Sequence, residues 1–250
     1  MLDIDSIYDP SYLKGKTVLI TGGNRGIGLA LTKEVVSKGA NVIITSRNPA
    51  PVVENMGVKV IVGIDVTDNK SGEQLAAALK GQKVDILINN AGYFYEPVEK
   101  IDSLNFEEEM KMIDICAVGP LRISSGLFNA GLLPSGSKIA MITSQGGSIT
   151  WRTTQNPTGH DYGHHMSKAA ANMMSALLAQ ELKSKGITVS ILHPGFNKTD
   201  MTKKYEAIWE IEGAVDASIG AKRVMHEIGI QSMDSTGKFI NCEDGLEIPF

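Results

Sequence analysis

The stretch "TVLITGGNRGIGLALTKEVVSKGANVIIT", residues 17–45, constrains the fold more than any other part of the chain. A β-branched run of strand length enters a glycine-rich turn, passes into a segment of helical period and returns to a second β-branched run. Parallel strands need such a crossover, since a short hairpin can only join antiparallel neighbours. The pattern recurs along the sequence. Strands are expected at Thr17–Thr21, Asn41–Thr45, Lys59–Ile64, Ile86–Asn89, Lys138–Thr143, Thr188–His193 and Lys238–Asn241. Helices are expected near Gly28–Lys38, Ser71–Lys80, Ser103–Leu121, Met166–Lys185 and Val215–Ile228. Runs such as "NVIIT" and "KIAMIT" carry no alternation, as befits strands covered on both faces.

The expected fold class is α/β: one Rossmann-type doubly wound parallel sheet of about seven strands, with helices on both faces. A chain of 250 residues can bury such a core as a single domain. Residues 1–14 read as a loose N-terminal arm and 15–250 as the domain, with substrate loops at about 145–161 and 196–213. Loops after strands attract functional attention because ligands sit at the carboxyl ends of strands in these sheets.

Composition narrows the partners. The 24 basic and 28 acidic residues are interspersed, giving a formal charge of −4, which is no footprint for nucleic acid or an anionic membrane surface. No apolar run reaches membrane-spanning length, and the acidic, polar opening residues do not read as a secretory or transit segment. Cys116 and Cys242 are too few and too isolated for a disulfide framework. A cytoplasmic protein with a small-molecule substrate is expected.

The turn "TGGNRGIG" carries the cofactor signal. Gly22, Gly26 and Gly28, with Asn24, Arg25 and Ile27 between them, allow a tight turn and close backbone approach. The following helix N-terminus offers unpaired N–H groups to a pyrophosphate. At the end of the second strand stand Ser46 and Arg47, where an NAD-binding chain usually presents an acidic residue to the ribose. Arg47, with Arg25, favours a 2′-phosphate, so NADP(H) is expected over NAD(H). The alternative reading of these arginines is two solvated loop residues.

These features, with "DVT" at Asp65–Thr67, "NNAG" at Asn89–Gly92, "SK" at Ser167–Lys168 and "PGFNKT" at Pro194–Thr199, resemble the short-chain dehydrogenase/reductase family. The resemblance runs from about residue 15 to Phe250, and the ending "TGKFINCEDGLEIPF" is similar to its carbonyl-reductase-like branch, which includes the sniffer and C-factor proteins. It implies that Asp65 and Val66 flank the adenine and that Asn89, Ala91 and Gly92 line the cofactor. Pro194 and Gly195 would also contact the cofactor, Thr199 would hold its diphosphate region, and Lys168 would bind the nicotinamide ribose. It also implies a homodimer or homotetramer; "AAANMMSALLAQEL", apolar on more than one face, suits either such an interface or burial within the monomer.

The family uses Asn, Ser, Tyr and Lys for proton transfer alongside hydride transfer. Ser144 and Lys168 match the last strand-end serine and the lysine. The tyrosine position, four residues before the lysine, holds His164, and the asparagine position holds Cys116. A lysine ammonium nearby lowers an imidazole pKa, which hurts proton donation more than proton abstraction. Tyr162 lies off the lysine's helical face unless the helix starts irregularly. Other readings stay open: His164 and His165 as surface residues at a helix start, and a metal site of His160, His164 and His165, for which no further ligand is placed. Cys116 is expected to act as a small buried apolar residue. The function expected is NADP(H)-dependent oxidoreduction of a small carbonyl or alcohol, under Trp151, Arg152, Asn156 and Asp161 and an aromatic lid of Tyr205 and Trp209. The alternatives are ligand binding without turnover and a non-redox reaction in the same pocket.

Overall fold

A computed structural model describes all 250 residues. Eight strands form one sheet in the order β3-β2-β1-β4-β5-β6-β9-β10. They are β1 (Thr17–Thr21), β2 (Asn41–Ser46), β3 (Lys59–Val62), β4 (Ile86–Asn89), β5 (Lys138–Ile142), β6 (Thr188–His193), β9 (Phe239–Asn241) and β10 (Leu246–Glu247). All pair in parallel except β10, which adds an antiparallel edge to the seven expected strands. A separate parallel pair joins β7 (Asn197–Lys198) to β8 (Val215–Asp216).

The helices are α1 (Ile4–Ile7), α2 (Gly26–Ser37), α3 (Ser71–Leu79), α4 (Phe106–Ile113), α5 (Gly119–Asn129), α6 (Ile149–Gln155), α7 (Tyr162–Lys183) and α8 (Ala217–Ile230). Side-chain alternation along the strands divides the core. Val18 and Ile20 of β1 face α2 and α8, with Leu31, Val35 and Val224. Leu19 faces α3, α5 and α7, with Leu75, Ile123 and Leu182. The chain order reverses direction between β1 and β4, and the crevice there opens at the strands' carboxyl ends, where the glycine turn lies. No helix is long and apolar enough to cross a membrane.

Several elements differ from expectation for identifiable reasons. The helix expected to stop at Leu121 continues to Asn129 through a π turn at Asp114–Val118. Pro120 has no N–H for Cys116 to receive, and the wider turn lets the helix pass this residue, with Gly119 N–H donating to Asp114 instead. Helix α7 starts at Tyr162, so Gly163 is helical and not part of a loop. A Cβ there would stand 3.0 Å from Glu109 Cα and collide with Met112, so the glycine sets the close approach of α7 to α4. The span 145–161 holds a helix, α6, and Val215–Asp216 is strand before α8 begins. Residues 1–14 are docked rather than loose: Leu13 is fully buried, and Tyr12 Oη donates to Met225 O at 2.6 Å.

Candidate active site

At the glycine turn, the backbone N–H groups of Arg25, Gly26, Ile27 and Gly28 donate to no acceptor within the protein. Gly28 packs so closely on Gly22 O and the Asn90 amide that a Cβ would collide with both. Gly22 (φ 66°) and Gly26 (φ 52°) adopt left-handed backbone that favours glycine. A Cβ on Gly26 would meet only Thr199, at 4.0 Å, which places Thr199 across the open turn from the helix N-terminus. A set of free N–H donors at a helix start fits a dinucleotide pyrophosphate.

The turn is braced by two residues the sequence reading passed over. Thr21 Oγ1 accepts from Asn90 N and Ala91 N, both at 3.0 Å. Asn90 Nδ2 donates to Thr21 O at 3.0 Å and Gly22 O at 3.1 Å. The "NNAG" segment thereby ties β4 to the glycine turn across the switch point. Its first asparagine, Asn89, turns its amide into the protein and donates to Ser124 Oγ at 3.1 Å.

Beyond the ends of β2 and β3, an open cavity of about 580 Å³ is bounded by Arg47, Asp65, Thr67, Lys111, Asp114 and Val118, among others. Asp65 Oδ1 accepts from Thr67 N (3.0 Å) and Thr67 Oγ1 (2.8 Å), and these bonds hold its carboxyl below the usual range. Val66 lies against Gly119. Arg25 and Arg47 are exposed, and neither makes an ion pair. Ser46 is buried and spends its hydroxyl on Asn48 O at 2.6 Å, so the arginine and not the serine faces this cavity.

The candidate catalytic groups meet around Gly146. A Cβ on this residue would lie 3.1 Å from His164 Nε2, 3.1 Å from His165 Nδ1 and 3.2 Å from Ser144 Oγ. Ser144 ends the loop from β5 and accepts from Gly146 N at 3.0 Å. Gly147 lets that loop abut α7 at the Lys168 backbone, where any Cβ would clash. His164 and Lys168 share a face of α7, at i and i+4 spacing. Tyr162, at the helix start, is exposed, and Cys116 is buried with Sγ 3.5 Å from Tyr93 O.

His164 is a neutral imidazole at physiological pH. Burial pushes its pKa well below 6.5, and the charges of Lys168, Lys204 and Arg152 act in the same direction. Burial is the larger cause, and the Lys168 ammonium expected from the spacing comes second. Its ring stacks on Phe94 with centroids 4.3 Å apart, and Nδ1 is sealed without a hydrogen-bond partner. His165 is fixed differently: Nδ1 donates to Gly146 O at 2.9 Å, and Nε2 accepts from Asn156 at 3.1 Å. His160 Nδ1 donates to Asp161 at 2.8 Å, so the three histidines point to separate partners.

The segment around Lys204 closes over these groups. Lys204 Nζ sits 3.6 Å from the centroid of Phe94 and donates to Tyr95 O at 3.0 Å and Glu96 O at 3.2 Å. Asp161 lies 3.7 Å from the same ammonium and accepts from Tyr205 Oη at 2.8 Å. Phe94 and Lys204 were not among the expected site residues; no motif marks them, because they arrive from separate loops.

Comparisons with known proteins identify the family. The short chain dehydrogenase family profile matches residues 16–208. The 1-hydroxy-2-glutathionyl-2-methyl-3-butene dehydrogenase of Rhodococcus sp. (strain AD45) is 34% identical over 191 residues, 76% of this chain and 81% of that protein. The 3-oxoacyl-acyl-carrier-protein reductase FabG of Escherichia coli (strain K12) is 32% identical over 197 residues, 76% of this chain and 77% of that protein. Among solved structures, an NADPH-bound carbonyl reductase from chicken fatty liver superposes with a TM-score of 0.79 at 25% identity, over 95% of this chain and all of the other. The chain belongs to the short-chain dehydrogenase family of oxidoreductases.

Proposed function

We propose that this chain is an NADP(H)-dependent oxidoreductase of a small alcohol/carbonyl pair, with His164 in the place of the family tyrosine. The observation that carries the reading is the convergence of Ser144 Oγ and His164 Nε2 on Gly146, on a helix that also presents Lys168. The NADPH-bound relative and the named dehydrogenase support it. Arg25 and Arg47 supply positive charge for a 2′-phosphate, the N–H groups of residues 25–28 hold the pyrophosphate, and Lys168 holds the nicotinamide ribose. When bound, the dinucleotide accepts or supplies the hydride at its nicotinamide.

The residues of the chain do the rest. Ser144 accepts from Gly146 N, which leaves its own O–H to donate to the substrate oxygen. In alcohol oxidation the substrate C–H bond breaks with its electron pair leaving as hydride, and the hydroxyl proton passes to the neutral His164. The imidazolium so formed faces Lys168, Lys204 and Arg152 and passes its proton to water. In carbonyl reduction, a neutral imidazole offers only a weakly acidic N–H. Oxidation is therefore the favoured direction. Assembly as a homodimer or homotetramer belongs to the same reading, with Phe106, Met110, Met173 and Leu177 exposed on α4 and α7.

The test is initial-rate kinetics with NADP+ and NADPH across alcohols and carbonyls. His164→Ala is expected to lose oxidation by about 100-fold or more, and His164→Tyr to gain carbonyl reduction. Unchanged oxidation in His164→Ala removes the histidine from the chemistry. The ring of Phe94 against His164 favours a second reading, cofactor binding without turnover; NADPH binding with no hydride transfer even in His164→Tyr would select it.

A further inference from the structure

Besides burial, four side chains act on His164: Lys168, His165, Lys204 and Arg152, of which the lysines and the arginine are the standing cations. Lys204 is compensated by two carbonyls, the Asp161 carboxylate and the Phe94 face. Lys168 is assigned to the ribose. Arg152 has no such partner. Its Nη2 donates to the neutral Gln155 amide oxygen at 2.6 Å, its Nε is sealed from water with nothing to donate to, and no carboxylate lies within ion-pair distance. Burial alone lowers its pKa, with no acidic group acting against that. Its Nε is enclosed on α6, the helix that follows Ser144 and Gly146 and whose C-cap residue Asn156 donates to His165 Nε2 at 3.1 Å, so Arg152 stands beside the site with its Nη2 end towards solvent.

The backbone that carries Arg152 is fixed. Ser148 caps α6 by accepting from Trp151 N at 3.1 Å and donates to Pro249 O at 2.5 Å. Thr150 N donates to Phe250 O at 3.2 Å, and Trp151 packs against the cluster of Ile191, Phe239 and Ile248. A partly desolvated guanidinium held in place without a counter-charge is unfavourable until an anion completes it. Its forked N–H groups suit a carboxylate or phosphate.

We propose that the substrate carries an anionic group, remote from its reacting hydroxyl or carbonyl, and that Arg152 is the residue that selects for it. This rests on the oxidoreductase reading above, and it adds an anionic terminus to the small carbonyl or alcohol expected under the Tyr205 and Trp209 lid.

The test measures binding rather than turnover, by calorimetry on the full chain with and without NADP+. The probes are ω-hydroxy carboxylates of increasing length, the corresponding ω-hydroxyalkyl phosphates, and methyl-ended alcohols matched to each. At least one anionic probe is expected to bind the wild type about tenfold or more tightly than its methyl-ended counterpart. That ratio falls to near one in Arg152→Gln and is partly kept in Arg152→Lys. The carboxylate and phosphate arms identify the anion. Ratios near one throughout the wild-type series, or a ratio that survives Arg152→Gln, overturn the proposal. NADPH absorbance followed in the same mixtures tests the oxidoreductase reading separately, because the binding ratio does not depend on hydride transfer.

Discussion

Phe94 and His164 lie ring on ring, centroids 4.3 Å apart and planes inclined at 29°. The contact withdraws the imidazole from water, and withdrawal is the main reason it stays neutral. Lys204 covers the same phenyl ring at 3.6 Å, which joins the acid–base position to the closing segment through one side chain. Replacing Phe94 by Ala readmits water and raises the His164 pKa towards 6.5. Titration of the histidine Cε1–H signals by NMR reads this directly. A His164 titration midpoint in Phe94→Ala no higher than in the wild type would show that Phe94 is not the cause.

The cofactor assignment predicts a split response. Arg47→Ala and Arg25→Ala are expected to weaken NADPH binding by about tenfold each and leave NADH binding nearly unchanged, because only the 2′-phosphate loses a charged partner. Equilibrium binding at low and moderate salt distinguishes this from general charge effects, which would weaken both nucleotides together. Equal losses for NADH and NADPH would assign the arginines to the diphosphate instead.

Asn90 tests the brace beneath the glycine turn. Its amide donates to the carbonyls of Thr21 and Gly22, so Asn90→Ala leaves both without that donor. The expected cost is about 1–3 kcal/mol of stability, with a larger relative loss of NADPH affinity than of affinity for alcohols. Denaturant unfolding and nucleotide titration together check it. A destabilised variant with wild-type NADPH affinity would confine Asn90 to a structural role.

The sheet and the cofactor turn were legible because they are local. Near-continuous β-branched runs and a glycine turn between strand and helix are determined within about thirty residues of chain. Helix ends were less so. The helix expected to end at Leu121, just past Pro120, runs on to Asn129 because the π turn before the proline accommodates its missing N–H. Gly163 resembles a loop residue until α4 is placed against it. The site divides in the same way. Ser144, His164 and Lys168 lie in recognisable motifs, whereas Phe94, Lys204 and the lack of a counter-charge at Arg152 depend on which loops fold together. Burial, the dominant influence on His164, is a property of the assembled pocket and is absent from spacing.

Acid and alkaline stability should be limited by different residues. His193, at the end of β6, is fully enclosed, and burial pushes its imidazole down to about 3, with Lys168 and Arg152 adding to the effect. Its folded pKa lies below the unfolded value near 6.5, so the unfolded chain binds the extra proton. Stability is then fully present above pH 6.5 and falls as pH drops towards 3. Glu227, on α8, behaves oppositely: burial, with the Asp244 carboxylate adding, pushes it up to about 7 from 4.5. The folded state keeps that proton longer, so stability is full below pH 4.5 and declines as pH rises to 7. Glu227→Gln mimics the protonated form and should raise the melting temperature at pH 8 by roughly 4 °C while changing little at pH 4.5. His193→Gln should flatten the loss between pH 6.5 and 4 without moving the alkaline limb. Melting curves of the three proteins from pH 4 to 9 measure both differences. A Glu227→Gln profile parallel to wild type across that range would place the alkaline loss elsewhere in the protein.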